Sequence, residues 1–102
     1  MSDIHARIDQ LVKGNKFVLF MKGTPDFPQC GFSMRAVNVV RALGVPFEAV
    51  NVLADPEIRE GIKAYGNFPT IPQFYANGEL IGGSDILMEM YETGELDALA
   101  KD

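Results

Sequence analysis

The spacing of apolar residues along the chain changes between helical and strand-like patterns. Ile4, Ile8 and Val12 recur at helical intervals near the N-terminus, and Gly14 offers a stop. The apolar run Phe17–Met21 that follows is too short for a helix and is rich in strand-forming residues. The pattern therefore predicts one helix, followed by a strand that is buried on both faces.

Residues 30 to 43 carry the longest helical pattern in the chain. Arg35, Asn38 and Arg41 fall three apart and predict an exposed stripe along this helix. The apolar positions expected to face inward are Met34, Val37, Val40 and Leu43. A second strand is predicted over residues 47 to 52, after a Gly-Val-Pro stop.

The second half of the chain has the signals of a helix, a hairpin and two further helices. Asp55 is expected to cap the first of these helices, with Pro56 at its first position. Asn77-Gly78 is the favoured two-residue turn between two short strands. Ser84 is expected to cap the next helix, and a short helix follows it near the end of the sequence.

These elements predict an α/β fold with about four strands in one mixed sheet. Strands that alternate with helices pair in parallel, and the hairpin adds an antiparallel pair. Helices are expected on both faces of the sheet, in a single domain that spans residues 1–102. A domain of this length buries roughly 60% or more of its unfolded surface, which is enough for one core.

Charge and cysteine content narrow the functions that such a domain can serve. Fourteen acidic residues against nine Lys and Arg give a net charge of −5, which argues against nucleic acid as a partner because that binding neutralises phosphates. No run approaches the ~20 apolar residues of a membrane span, and the first residues resemble neither a signal nor a transit peptide. One cysteine cannot form an internal disulfide, so a reducing, cytoplasmic location is expected.

The single cysteine, Cys30, lies between a proline-containing loop and the start of the long helix, in the stretch KGTPDFPQCGFS. The unpaired N–H groups and positive dipole end of a helix favour the thiolate, and Lys22 can add positive charge. The pKa of Cys30 is therefore expected below about 8.5. Ser33 occupies the position where a C-x-x-C pair has its second sulfur. The alternative is that Cys30 is a small buried apolar residue, as most lone cysteines are.

Two further stretches have the residues to approach a ligand. In FPTIPQF, Pro72 interrupts a strand pattern, which indicates an edge position or a cis peptide bond after Ile71. A simple proline at the entry to a strand explains the same pattern equally well. In the cis alternative, the N–H and C=O of Ile71 are expected to point outward and receive an extended peptide. In GGSD, two glycines permit close approach of the backbone, and the helix start can receive a carboxylate. An ordinary loop capped by Ser84 explains the same residues equally well.

In this order and at these spacings, the stretches resemble the monothiol glutaredoxins of the CGFS class, a family with the thioredoxin fold. The resemblance runs from VLFMKGTPDFPQCGFS through FPTIPQFYANGELIGGSD and so covers essentially the whole chain. Two positions depart from the family pattern. Phe68 stands where Trp is usual, and Ser84 stands where Cys is frequent, so no second thiol is available there either.

The resemblance implies a glutathione site beside the cysteine. The positions that match the glutathione-binding residues of the family are Lys22, Arg59, Ile71 before a cis Pro72, Ser84 and Asp85. Lys22 and Arg59 suit the glycyl carboxylate, and Ile71 can pair backbone to backbone with the middle residue of the tripeptide. The helix start at Ser84 suits the γ-glutamyl carboxylate, and Asp85 suits the ammonium group.

The resemblance also implies a 2Fe-2S cluster with Cys30 as its protein ligand. Such a cluster takes four thiolates, and one chain supplies only one. Two chains and two glutathione molecules complete the set, so the cluster is expected in a homodimer. The implied function is an iron–sulfur carrier that receives a cluster from a scaffold protein and delivers it to apo-proteins. BolA-like proteins are further partners that the resemblance implies.

The alternative function is that of a glutathione-dependent thiol–disulfide oxidoreductase. Cys30 as thiolate would attack a protein–glutathione mixed disulfide, and free glutathione would resolve the intermediate. Members of the CGFS class are generally poor at such turnover, so weak activity or none is expected. A third alternative, an interaction module without chemistry, does not need Lys22, Arg59 and Asp85 beside the cysteine.

Overall fold

The computed structural model describes residues 3–101, and its elements follow the predicted order. The helices are α1 (Asp3–Gly14), α2 (Gly31–Ala42), α3 (Pro56–Gly66), α4 (Ser84–Thr93) and α5 (Glu95–Lys101), and the strands are β1 (Phe17–Met21), β2 (Glu48–Asn51), β3 (Gln73–Ala76) and β4 (Glu79–Gly82). None of these helices is long and apolar enough to cross a membrane.

The four strands form one mixed sheet in the order β2-β1-β3-β4. Strand β1 runs parallel to β2 and antiparallel to β3, and β3 forms the hairpin with β4. All five residues of β1 are buried, as the unbroken apolar run predicts for a central strand. At the hairpin turn, Asn77 and Gly78 have φ values of 54° and 84°, which confirms the Asn-Gly turn.

Side chains of β1 alternate between two apolar clusters, one on each face of the sheet. Phe17, Leu19 and Met21 pack in a cluster with residues of α2, α4 and α5. Val18 and Phe20 pack in the other cluster, with residues of α1 and α3. This two-residue alternation is the period of a strand, and it confirms the prediction of helices on both faces.

The inward face of α2 differs from the prediction at its first turn. Met34, expected to face inward, is 49% exposed, and Ser33 is fully buried in its place. The Oγ atom of Ser33 accepts a hydrogen bond from the backbone N–H of Lys22 at 3.0 Å, so the hydroxyl is satisfied inside the protein. Val37 and Val40 are buried as predicted. An apolar pattern cannot indicate a buried serine, because the partner that satisfies the hydroxyl lies in another element.

The second strand is shorter than predicted. It ends at Asn51, and Val52–Ala54 form a single turn of 3-10 helix instead of continuing the strand. The side chain of Asn51 accepts a hydrogen bond from the N–H of Leu53 at 2.9 Å and so caps this turn. A polar side chain that bonds to nearby backbone competes with the strand ladder and ends the strand.

Candidate functional site

A groove of about 630 Å³ lies at the carboxyl end of β1, between the starts of α2 and α4 and the side of α3. Every position that the sequence assigned to the site lines this groove. These residues are Lys22, Cys30, Arg59, Ile71, Pro72, Ser84 and Asp85. They are spread over most of the chain, and the fold brings them together at the end of the sheet where open α/β proteins bind ligands.

Cys30 is the N-cap of α2 and is partly exposed in the groove. The backbone N–H of Ser33 makes the largest contribution to lowering the pKa of Cys30, and the N–H of Phe32 and the charge of Lys22 act in the same direction. Partial burial opposes them but does not cancel them. The pKa of Cys30 therefore lies below its ordinary value, as the position at a helix start predicts.

We predict that alkylation of Cys30 by iodoacetamide rises with pH through a midpoint below about 8.5, because the thiolate is the reacting species. Glutathione in the same assay is the reference, and a midpoint at or above that of glutathione would contradict the prediction. The stability linked to this thiol has the corresponding sign. It is fully present above the unfolded-state pKa and is lost as the pH falls through the lower folded-state pKa.

The loop between β1 and Cys30 is tied back on itself. The N–H of Gln29 donates to the carbonyl oxygen of Lys22 at 2.9 Å, and Gly23 forms an isolated bridge with Pro28. The N–H of Gly23 donates to Oδ1 of Asn51 at 2.9 Å, which joins the loop to the end of β2. These bonds hold Lys22 at one end of the loop close to the cysteine at the other.

Two cationic residues of α3 line the groove, whereas the sequence had indicated only one. Arg59 and Lys63 lie one helical turn apart, and Lys63 also forms an exposed ion pair with Glu60 at 3.4 Å. Asp55 caps the start of this helix and is bound by Arg7 of α1 at 2.7 Å, which fixes α3 against α1. The spacing of four residues from Arg59 is the signal that could have indicated Lys63.

The groove is locally positive in an acidic protein. Lys22, Arg59 and Lys63 line it together with one carboxylate, that of Asp85. Within residues 3–101, no carboxylate forms an ion pair with Lys22 or Arg59. These two charges are therefore available to an anionic ligand, although the chain carries a net charge of −5.

The Ile71–Pro72 peptide bond is cis. Pro72 immediately precedes β3, which is an interior strand of the sheet, so the alternative of an edge position does not apply. Among the residues that the structure describes, no backbone hydrogen bond involves Ile71. Its main-chain N–H and C=O are therefore not used by the protein backbone.

The start of α4 differs from the prediction in its cap. Gly83, not Ser84, is the N-cap, and Ser84 is the first helical residue and is 5% exposed. A Cβ atom at position 83 would lie 3.3 Å from the carbonyl oxygen of Pro72 and 3.6 Å from the ring of Phe68. Close approach of the two segments therefore favours glycine here. Asp85 is exposed beside it in the first turn of the helix.

Exposed apolar side chains lie in the loop before the cysteine and along the groove. Phe27, Phe32 and Ile86 are 73%, 55% and 42% exposed, and the latter two line the groove. The guanidinium carbon of Arg35 lies 5.7 Å from the ring centre of Phe32. These residues were not predicted from the sequence as part of the site, although an aromatic residue in the first turn after the cysteine was the available signal. Such rims are typical of surfaces that contact another molecule.

The chain has few groups that can ligate a metal near Cys30. Within the described part of the chain, no three or more His, Cys, Asp or Glu side chains are grouped so that they could hold a metal ion. Cys30 is the only cysteine of the sequence. One copy of the chain can therefore offer a single thiolate at this position.

Comparison with known proteins places these features in a family. The glutaredoxin family profile matches residues 17 to 81. A monothiol glutaredoxin of Synechocystis is 61% identical over 94 residues, which cover 92% of this chain and 88% of the relative. A chloroplastic monothiol glutaredoxin of rice is 51% identical over 94 residues, but the match spans only 56% of that longer protein.

The fold agrees with that of solved relatives. The solution structure of reduced poplar apo GrxS14 superposes with a TM-score of 0.81 at 48% identity, over 94% of this chain and 88% of the poplar chain. This similarity confirms the thioredoxin fold that the family resemblance implied, and with it the mixed sheet predicted from the order of elements. With one cysteine at the start of α2, serine three residues later and the glutaredoxin profile across the sheet, the chain belongs to the monothiol glutaredoxins.

Proposed function

We propose that this protein is an iron–sulfur carrier. Two copies of the chain hold a 2Fe-2S cluster between them with glutathione as co-ligand, and they pass the cluster, as cargo, to apo-proteins. The observation that carries the proposal is a single thiol of lowered pKa in an open groove without a further set of metal ligands. The groove thus supplies one thiolate ligand, which is too few to hold a cluster within one chain.

The number of ligands that a 2Fe-2S cluster needs implies that two chains share it. A 2Fe-2S cluster takes four thiolate ligands in its all-cysteine form, and each chain contributes only Cys30. Two chains therefore contribute two, and two further thiolates are needed. Glutathione supplies a thiol and is small enough for a groove of about 630 Å³, a volume within the usual range of ligand pockets.

The charges of the groove favour glutathione as this second donor. Lys22 and Arg59 would hold its glycyl carboxylate, the start of α4 at Ser84 would receive the γ-glutamyl carboxylate, and Asp85 would pair with the ammonium group. The backbone of Ile71 would pair with the middle residue of the tripeptide. A buckwheat glutaredoxin of the same fold, 24% identical to this chain, has been solved in a complex with glutathione.

The same ligand set accounts for transfer. Half of the thiolates are diffusible molecules, so the cluster dissociates more readily than one held by four cysteines of one chain. The exposed rings of Phe27 and Phe32 beside the cysteine give the second copy an apolar surface to cover. In this proposal a scaffold protein donates the cluster, apo-proteins accept it, and BolA-like proteins are further partners. The proposal also takes residues 1–102 as one domain.

A second candidate function is favoured by the state of the thiol. The lowered pKa of Cys30 and its partial exposure would let it attack a protein–glutathione mixed disulfide, with free glutathione resolving the product. This chemistry uses the same groove and needs no second chain. The two functions therefore predict different results for the visible colour of the protein, its mass in solution and its rate of turnover with a glutathionylated substrate.

The proposal is tested by anaerobic reconstitution with iron, sulfide and glutathione, followed by visible spectroscopy and analytical ultracentrifugation. We expect a coloured dimer that loses its colour when glutathione is removed and that reconstitutes a colourless apo acceptor of the 2Fe-2S type. Cys30→Ser is expected to stay colourless. Asn38→Ser changes an exposed residue of the same helix, serves as the control and is expected to behave as the wild type.

Two results contradict the carrier. A colourless monomer with rapid removal of glutathione from a glutathionylated protein would favour the oxidoreductase. A cluster that persists on one chain after dialysis without any thiol would show that the ligand count is wrong. The cytoplasmic location stays a prediction, since relatives include chloroplastic and mitochondrial proteins.

A further inference from the structure

The buried amide of Gln73 connects β3 to the loop that forms one wall of the groove. Gln73 is fully buried at the first position of the strand. Its Nε2 atom donates hydrogen bonds to the backbone carbonyl oxygens of Phe68 and Thr70, at 3.0 and 3.2 Å. Both N–H groups of the side-chain amide are thereby used.

Tyr75 fixes the direction in which this amide faces. Backbone carbonyls only accept hydrogen bonds, so Nε2 of Gln73 faces the loop and Oε1 faces Tyr75, whose hydroxyl donates to it at 2.8 Å. Burial raises the pKa of Tyr75 well above its ordinary value, so the hydroxyl keeps the proton that it donates. A Cβ atom at Gly66 would collide with the Tyr75 hydroxyl and with Oε1 of Gln73, so the pair is closely enclosed.

The hydrogen bond to Thr70 determines how the next peptide group is turned. Within residues 3–101 the cis bond is the one after Ile71, so the peptide between Thr70 and Ile71 is trans. In a trans peptide the C=O of one residue and the N–H of the next point in opposite directions. Because Gln73 holds the Thr70 carbonyl on the buried side, the N–H of Ile71 is turned away from the buried amide, and Ile71 itself lines the groove.

Few hydrogen bonds hold this part of the loop, and its other anchor is the side chain of Ile71, which is buried in the apolar cluster with residues of α1 and α3. Among the described residues, no hydrogen bond between two backbone groups involves residues 69 to 72. Pro69 and Pro72 have no N–H to donate, so they cannot anchor the loop by backbone donation. The two bonds from Gln73 are therefore the principal polar tie between this wall of the groove and the sheet.

We propose that Gln73 is a positioning residue of the groove. Oriented by Tyr75, it sets the direction of the Ile71 N–H, so that an extended peptide such as glutathione can pair with that group. Gln73 does not line the groove and acts only through the loop. The inference rests on the proposed function, because it states how the same groove meets its ligand.

The test compares metal-free wild type with Gln73→Met, which keeps an unbranched buried side chain but removes both donors and the acceptor. The affinity for reduced glutathione and the Ile71 amide resonance are measured by ¹⁵N NMR titration. We expect the Kd to rise about tenfold, because the ligand must now order the loop. We also expect a shifted Ile71 amide resonance before any ligand is added, and an unchanged pH midpoint of Cys30 alkylation.

Two further variants keep the test decisive. Tyr75→Phe leaves the buried ring in place but removes the hydroxyl that orients the Gln73 amide. We therefore expect a smaller rise in Kd and a smaller shift of the Ile71 resonance than for Gln73→Met. This variant replaces Gln73→Met if the latter does not fold. Leu96→Ala truncates a buried residue of α5 in the apolar cluster on the other face of the sheet, which does not include Ile71. It is expected to lower the Tm but to leave the Kd and the Ile71 resonance as in the wild type.

Each outcome decides one of the two ideas. Gln73→Met with a lower Tm but wild-type affinity and a wild-type Ile71 resonance overturns the positioning role, because the residue would then be structural only. A wild type that does not bind glutathione overturns the proposed function instead. In that case the Ile71 resonance of the ligand-free variants still shows whether Gln73 orients the loop.

Discussion

We expect the change of Arg59 to Ala to weaken the binding of glutathione by about tenfold to a hundredfold. A hydrogen bond to a charged group contributes about 1.5–3 kcal/mol, and each 1.4 kcal/mol or so is a factor of ten in affinity. Arg59 lines the groove, and no carboxylate of residues 3–101 neutralises it, so its charge is available to a ligand. Because the side chain is only partly buried, we expect a value in the lower half of this range.

The conservative change Arg59→Lys separates charge from geometry. Lysine keeps the charge but loses the planar fork that matches a carboxylate, so an intermediate affinity is expected. The control is Arg41→Ala, which removes an exposed arginine that is paired with Asp26 at 2.9 Å and does not line the groove. It should bind glutathione as the wild type does.

A ligand change makes the prediction specific to one contact. Glutathione amidated at its glycyl carboxylate lacks the group that Arg59 is expected to hold. Wild type and Arg59→Ala should therefore bind the amidated ligand with similar affinity, and the difference between the two ligands measures the coupling. NMR titration or calorimetry of the metal-free protein gives both constants. If Arg59→Ala weakens both ligands equally, Arg59 does not contact that carboxylate.

We expect the change of Gly23 to Ala to destabilise the protein and to disturb the loop before the cysteine. Gly23 has a φ of 94°, a region that costs a residue with a side chain roughly 1–3 kcal/mol. A Cβ atom would also lie 2.5 Å from the carbonyl oxygen of Phe27 and 2.8 Å from the backbone nitrogen of Gln29. Both neighbours are backbone atoms of the loop itself, so they cannot move aside without loss of the bonds that close it.

Gly44→Ala is the matched control for the backbone strain. Gly44 has a φ of 70°, but a Cβ atom there would meet no other atom within 4 Å. Denaturant unfolding should therefore show a larger loss of stability for Gly23→Ala than for Gly44→Ala. The difference between the two losses in free energy of unfolding reports mainly the contacts of the added Cβ atom at position 23 with the loop backbone. Only the change at position 23 should also alter the pH profile of Cys30 alkylation, since the loop holds Lys22 near the sulfur. Equal effects of the two changes on stability and reactivity would contradict this view of the loop.

Ser33 explains why Cys30 acts as a lone thiol. In a C-x-x-C pair the second sulfur must reach the first, but the side chain at position 33 is fully buried and bound to the N–H of Lys22. The backbone N–H of Ser33 lowers the pKa of Cys30 at the same time. This residue therefore stabilises both the thiolate and the end of β1, and the chain gives Cys30 no partner for a disulfide.

The local pattern predicted most of the elements and their order. The apolar run Phe17–Met21, the Asp55-Pro56 helix start and the Asn77-Gly78 turn all appear where expected. These signals are reliable because each depends on residues that are neighbours in the chain. The same holds for the low pKa of Cys30, which follows mainly from backbone N–H groups two and three residues ahead.

What the amino-acid sequence determined by itself is the order of most elements, the alternation of β1 side chains between two faces and the place of the cysteine at a helix start, where the thiolate is favoured. Only the tertiary structure decided that Ser33 is buried while Met34 is exposed, and that Gly83 caps α4. It also decided that Lys63 joins the groove and that Gln73 ties its loop. These features depend on which distant segments meet at the end of the sheet, and a buried polar atom is stable only when such a segment supplies its partner.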